Sequence, residues 1–128
     1  MSEPAAADPL DAAMRMQREA ARLGFDWRHL DELWDKLAEE TLELQQAAKQ
    51  SRDATEDELG DLLFMAVNLA RHLGVEPAMA LRRANAKFSR RFAHVIAGSA
   101  DLPPLGDERR LDAMEALWQD AKRLEKQG

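Results

Sequence analysis

The chain has 128 residues, 45% of them apolar, and a formal net charge of −6 from 18 basic and 24 acidic side chains. That length and composition suit one globular domain with a single core and exclude a disordered chain. The acidic balance argues against a general nucleic-acid binder, and the absence of cysteine excludes disulfides and thiolate metal sites.

Ala, Leu, Glu, Arg and Gln dominate, Val and Ile are scarce and Tyr is absent, a balance that favours helices over strands. An all-α fold is expected. Residues 1–9 contain no cationic segment followed by an apolar run, so they do not read as a secretory signal. They are expected to form a flexible leader, with a single domain over residues 10–128. Nothing approaches the roughly 18 consecutive apolar residues of a membrane span. The expectation is a soluble cytoplasmic protein without a membrane partner.

A first helix is predicted from Pro9 to Leu23, with Leu10, Ala13, Met14, Gln17 and Ala21 on one side and Gly24 as its stop. Phe25, Trp27 and Leu30 are apolar anchors for the next helix, predicted from Trp27 to Gln50. There Leu30, Leu33, Trp34, Leu37, Thr41, Leu44 and Ala48 follow helical spacing. Glu40 falls at the edge of that stripe, Glu43 slightly further round the same flank, and Glu39 further out. A lone glutamate in such a place ordinarily belongs to a solvated face with salt bridges one turn away.

Ser51, Arg52 and Asp53 suit a turn. A third helix is predicted to begin between Asp53 and Thr55 and to end before Gly74. Thr55 and Glu58 have the spacing of a capping box, a structural role that competes with any chemical one for Glu58. This helix is apolar nearly all round, from Leu59 to Leu73, and needs cover on more than one side. A partner subunit is therefore expected. Gly60 costs a helix roughly 1 kcal/mol against Ala, which suggests close approach of another backbone or a ligand.

The acidic runs of these two helices carry the chemistry. Residues three apart on a helix share a side, so Glu39-Glu40-Thr41-Leu42-Glu43 and Glu58-Leu59-Gly60-Asp61 can bring four carboxylates together from antiparallel helices. Such groups repel one another unless cations hold them, and hard oxygen ligands suit Mg²⁺ or Mn²⁺.

A fourth helix is predicted from Glu76-Pro77, with proline at the favoured first position, to about Ala97. Leu81, Ala84, Phe88, Phe92 and Val95 form its apolar stripe, and Asn85 lies on or beside it, where a buried amide would need partners. Arg82, Arg83, Lys87, Arg90 and Arg91 concentrate positive charge in an acidic chain. Alone, such a run is usually a solvated face. Beside a carboxylate-bound metal it reads as a phosphate clamp. Residues 101–106 read as a linker. A last helix is predicted from Asp107 to Lys126 with Leu111, Met114, Leu117, Trp118, Ala121 and Leu124 inward. The spacing makes Trp118 a core anchor; its sharper role would be to stack on a base.

These residues also carry a family likeness. Trp34-Asp35-Lys36 leading into Glu39–Glu43, the run Glu58-Leu59-Gly60-Asp61-Leu62-Leu63-Phe64, the run from Val67 to Gly74 and the run from Ala80 to Phe92 resemble the MazG domain. Gly24-Phe25-Asp26-Trp27 and Glu115-Ala116-Leu117-Trp118 extend the likeness over roughly Leu10 to Leu124. It is strongest to the C-terminal catalytic half of the two-domain bacterial enzyme.

The resemblance implies an all-α nucleoside triphosphate pyrophosphohydrolase with a four-helix core completed by dimerisation. It implies Mg²⁺, with Glu40, Glu43, Glu58 and Asp61 as ligands and Glu39 as an outer-shell group or base. It also implies that Lys87 and Arg91 hold phosphates, that Asn85 contacts sugar or phosphate, and that Trp118 lies near the base. Where some relatives place a lysine near the phosphates, this chain has Ala54 or Thr55, and Arg52 is the neighbouring cation. Partners implied are a nucleoside triphosphate and a second copy of the chain, as a homodimer or a pair of dimers. The competing readings are a non-catalytic nucleotide-binding helical dimer, and a dUTPase-like or phosphoribosyl-nucleotide enzyme with the same acidic motif. A nucleic-acid module built on the basic helix is disfavoured by the net charge.

Overall fold

Each expected helix forms, and most starts are marked by a residue that satisfies free backbone donors. A computed structural model describes residues 8–128; most of the expected leader lies outside the described residues. Helix α1 spans Pro9–Arg22, α2 Leu30–Ala47, α3 Arg52–His72, α4 Pro77–Ala97 and α5 Glu108–Gln127, with a 3-10 turn at Ser99–Asp101. No strand occurs among the described residues. Asp8 caps α1 by accepting from the Leu10 N–H at 2.8 Å, with Pro9 behind it, an arrangement that satisfies orphan amides and tolerates the missing proline donor. Asp107 caps α5 in the same way. Gly24 and Gly74 have φ of 93° and 72°, left-handed values that only glycine adopts cheaply. They let Phe25 and Val75 donate back to Ala20 and Ala70, closing α1 and α3.

Helix α2 is shorter at both ends than the sequence expectation, ending at Ala47 rather than Gln50, and α3 starts earlier than expected. Helix α2 begins at Leu30, because His29 is extended (φ −136°, ψ 145°) and its N–H is taken by the Glu32 carboxylate at 3.0 Å. Helix α3 begins at Arg52, because the Ser51 hydroxyl accepts from the Ala54 N–H at 3.1 Å. Thr55 is therefore not the cap. Its hydroxyl donates to the carbonyls of Ala47 and Ser51 at 3.2 and 2.7 Å, and Glu58 is left out of any capping box.

The chain forms two compact units, one ending at Ala80 and the other spanning Leu81–Gly128. In the first, α2 and α3 make a helical hairpin and α1 packs on α3. Leu33, Met65 and Leu69 are buried between α2 and α3, flanked by Trp27, Leu30 and Leu37. Ala13, Met14 and Val67 join α1 to α3, with Leu10 beside them. Burial on α2 runs along Leu33, Glu40 and Ala47, positions seven apart and so nearly in line on a helix. The expected stripe was drawn too far round: Trp34 is 46% exposed, and Thr41 and Ala48 are exposed.

In the second unit α4 and α5 enclose little. Val95 and Ala121 are buried, while Leu81, Phe88, Phe92, Leu111 and Leu124, all expected inward, remain between 38% and 70% exposed. Ala84 and Asn85 are exposed too, and Met114, Leu117 and Trp118 are half-buried. With only Val95 and Ala121 buried, these two helices do not cover both their apolar stripes. Leu117 packs where Gly98 leaves room, since a Cβ there would come 2.7 Å from its Cδ2. Among the described residues no helix is long and apolar enough to cross a membrane.

Candidate metal centre

The hairpin brings the two acidic runs together. One carboxylate oxygen from each of Glu40, Glu43 and Glu58 lies within 4.8 Å of the others. Glu40 is buried, because it stands in line with Leu33 and Ala47 on the packed face of α2. Glu43 and Glu58 are half-buried. Glu43 sits one turn after Glu40 on α2, and Glu58 faces them from the second turn of α3. Asp61, the fourth expected ligand, is exposed on α3 and is not part of this group. Gly60 has open space where a Cβ would stand, so none of the other described residues makes the close approach expected there.

Three carboxylates at this spacing repel one another. Partial burial, and then the charges of Glu40 and Glu58, push the Glu43 carboxyl above its ordinary value. One oxygen of Glu40 and one of Glu58, both Oε2, are buried without a hydrogen-bond partner. Buried acceptors of that kind are costly. A hard divalent cation would satisfy both orphan oxygens and offset the repulsion, so the donor set fits one.

One cation of the chain already leans on this group. Lys36 lies 3.3 Å from both Glu39 and Glu40. Its ammonium is held above its ordinary value, first by Glu40 and then by Glu39. Glu39 is exposed and paired with Lys36, and it is not one of the three grouped carboxylates. The sequence reading gave Lys36 no role, although it stands one turn before both glutamates, the spacing at which helix charges pair.

The expected phosphate and base residues all lie in the second unit. Asn85 and Lys87 are exposed on α4. Arg91 is bound by Glu125: its Nη2 donates to Oε2 at 2.9 Å and its Nε to both oxygens at 3.2 Å. Its guanidinium carbon lies 5.6 Å from the centroid of the Trp118 ring, a cation–π contact. Phe88 packs on Trp118 at 5.4 Å and on Phe92 at 5.5 Å. Trp118 packs with Phe88 and Arg91 but is only half-buried, not the core anchor its spacing indicated.

A cavity of about 680 Å³ opens in the first unit, lined by Met16 and Gln17 of α1, Phe25 and Trp27, and Phe64 and Asn68 of α3 among others. No sequence motif pointed to it. Its buried amides are engaged within the protein. Gln17 donates to the Phe64 carbonyl at 3.1 Å and accepts from Arg71 at 3.4 Å, and Asn68 accepts from Arg71 at 3.0 Å. Arg71 also forks onto Asp26 at 2.9 and 2.7 Å and holds that carboxyl well below the usual carboxylate range.

An all-helical chain with a buried carboxylate group on a helical hairpin defines a narrow class. The profile of the MazG nucleotide pyrophosphohydrolase domain fits residues 28–96, a span that holds both acidic runs and α4. The chain belongs to this family. It is 42% identical over 127 residues to the nucleoside triphosphate pyrophosphohydrolase of Escherichia coli (strain K12), covering 95% of this chain and 48% of that protein. It is 38% identical over 113 residues to the nucleoside triphosphate pyrophosphohydrolase/pyrophosphatase MazG of Thermotoga maritima, covering 88% of this chain and 44% of that one. An uncharacterized protein, YabN of Bacillus subtilis, matches 69 residues at 38% identity, 54% of this chain and 14% of its own length. The chain spans about half the length of the first two relatives.

Proposed function

We propose that this chain is a Mg²⁺-dependent nucleoside triphosphate pyrophosphohydrolase that cuts between the α and β phosphates. The observation that carries the proposal is the group of Glu40, Glu43 and Glu58 with two buried, unpartnered oxygens, in a chain whose relatives bear that activity in their names. Asp61 is the fourth ligand in this reading, brought in from one turn further along α3. Mg²⁺ or Mn²⁺, when bound, supplies positive charge against the phosphates and makes water easier to deprotonate.

The chain's own residues do the rest. Glu39, outside the ligand group, takes the proton of the attacking water. The water oxygen bonds to the α phosphorus, the bond from that phosphorus to the bridging oxygen breaks, and pyrophosphate leaves beside a nucleoside monophosphate. Lys87 and Arg91 hold phosphates and stabilise the charge that gathers on the leaving group. Asn85 contacts sugar or phosphate, and Trp118 lies near the base. The biological role is nucleotide-pool cleansing in the cytoplasm, by a homodimer.

A panel of canonical and modified nucleoside triphosphates, assayed for pyrophosphate with and without Mg²⁺, tests this. Glu40→Gln removes one ligand charge at the most buried position and is expected to lower turnover at least about a hundredfold, the scale of losing a group that acts on the transition state. A folded Glu40→Gln protein with full Mg²⁺-dependent turnover would sink the assignment.

A further inference from the structure

Arg91 of α4 is held at both its edge and its face. The Glu125 carboxylate grips Nε and Nη2, and the Trp118 ring lies under the guanidinium. The Arg91 side chain is only 17% exposed, whereas its neighbour Arg90, which also reaches Glu125 at 3.1 Å, is 60% exposed. A guanidinium carries five N–H groups in a fixed fork. The bonds to Glu125 use Nε and Nη2 and leave Nη1 out. Arg91, first, and then Arg90 hold the Glu125 carboxyl below its ordinary value, so it is an anion at neutral pH.

We propose that Glu125, in the last turns of α5, is a positioning residue that fixes the Arg91 guanidinium in one plane over Trp118 and presents the Nη1 side to a phosphate. This rests on the reading of Arg91 as a phosphate ligand. An arginine on a helix surface loses much rotamer freedom when it is immobilised on binding. Held in advance by its opposite edge, it loses little. The planar fork makes the arrangement specific to arginine: a lysine would give Glu125 a point charge and leave nothing oriented.

The test is the affinity of the full chain for inorganic pyrophosphate with Mg²⁺, by calorimetry, in wild type, Glu125→Ala, Arg91→Ala and the double variant. Circular dichroism of each is the control for folding. Glu125→Ala is expected to weaken pyrophosphate roughly two- to tenfold, the cost of ordering one rotamer-rich side chain. The double variant is expected to bind no more weakly than Arg91→Ala alone, because Glu125 acts through Arg91. In nucleotide turnover the loss from Glu125→Ala appears in KM more than in kcat. If Arg91→Ala weakens binding and Glu125→Ala does not, the pair is a surface ion pair and the proposal fails. If Glu125→Ala tightens binding, Glu125 competes with phosphate and the proposal is reversed. If Arg91→Ala itself changes nothing, the phosphate role of Arg91 fails first and takes the proposal with it.

Discussion

Glu40 is the residue on which the chemistry of the site turns, because it stands on the packed line of α2 between Leu33 and Ala47. Burial there is tolerable only with partners. Lys36 supplies one at 3.3 Å, and the second oxygen has none. The consequence for pH falls on Glu43. Its carboxyl is raised above the ordinary value of 4.5 by partial burial and by Glu40 and Glu58. An acid raised in the folded state favours the protonated protein, so its contribution is full below its unfolded value and is lost as pH rises through the folded one. The metal-free protein should therefore lose stability as pH rises past 4.5 by more than a Glu43→Gln variant does. Mg²⁺ should restore it increasingly over the same window, because the cation replaces the proton. Thermal melts of both proteins across pH, in chelator and in Mg²⁺, read this directly. Equal slopes would show that Glu43 does not sense its neighbours.

At the scale of the element, the hairpin of α2 and α3 does most of the work of placing the carboxylates. Its turn is closed by Ser51 and by the Thr55 hydroxyl reaching the carbonyl of Ala47. The far end of α3 is tied to the loop before α2 by the fork of Arg71 on Asp26. Gly60 weakens α3 in between. Since no other described residue comes within 4 Å of a Cβ there, Gly60→Ala is expected to stabilise the protein by about 1 kcal/mol, raising Tm by roughly 4 °C. A fall in Tm instead would put a partner's backbone against that position. The helices themselves were readable from the sequence, because spacing, Pro9, Pro77, Gly24 and Gly74 all speak locally. The cap of α3 was misread because Ser51 and Thr55 both fit the cap pattern, and only the path of the turn decides between them. The buried line of α2 was misread because Trp34 is apolar and helically spaced while Glu40 is charged. Composition favours turning the tryptophan inward; packing against Met65 and Leu69 turns it the other way.

For the whole molecule, the exposed apolar surface is the main physical fact. Leu59, Leu63 and Phe64 on α3 and Leu81, Phe88 and Phe92 on α4 stay 38–58% exposed. Apolar surface on that scale usually marks an interaction site. The second unit buries only Val95 and Ala121 among its described residues, too little to stabilise two helices. The proposed homodimer would cover such faces, and Leu59, Leu63 and Phe64 belong to the helix expected to need cover on more than one side. Sedimentation at micromolar concentration should give a dimer, and Leu63→Glu, which puts a charge on the face of α3, should shift it towards monomer. A compact wild-type monomer would contradict the dimer. The three-carboxylate group itself was legible in the two acidic runs. Asp61 was not separable from them by spacing alone, because a ligand one turn further along α3 has the same periodicity whether or not it converges in the free chain. The Arg71 network and the cavity beside it left no local signal, since they join Gln17, Asp26, Asn68 and Arg71 from three separate stretches.

The proposed reaction is metal-dependent attack at the α phosphorus by water activated beside these carboxylates. It is tested most directly by incubating wild type and Glu58→Gln with a nucleoside triphosphate and Mg²⁺ in heavy-oxygen water, and following both products by mass spectrometry. Pyrophosphate release is expected from wild type only, with the label in the nucleoside monophosphate. Release of orthophosphate, label in the pyrophosphate, or undiminished turnover by folded Glu58→Gln would contradict it.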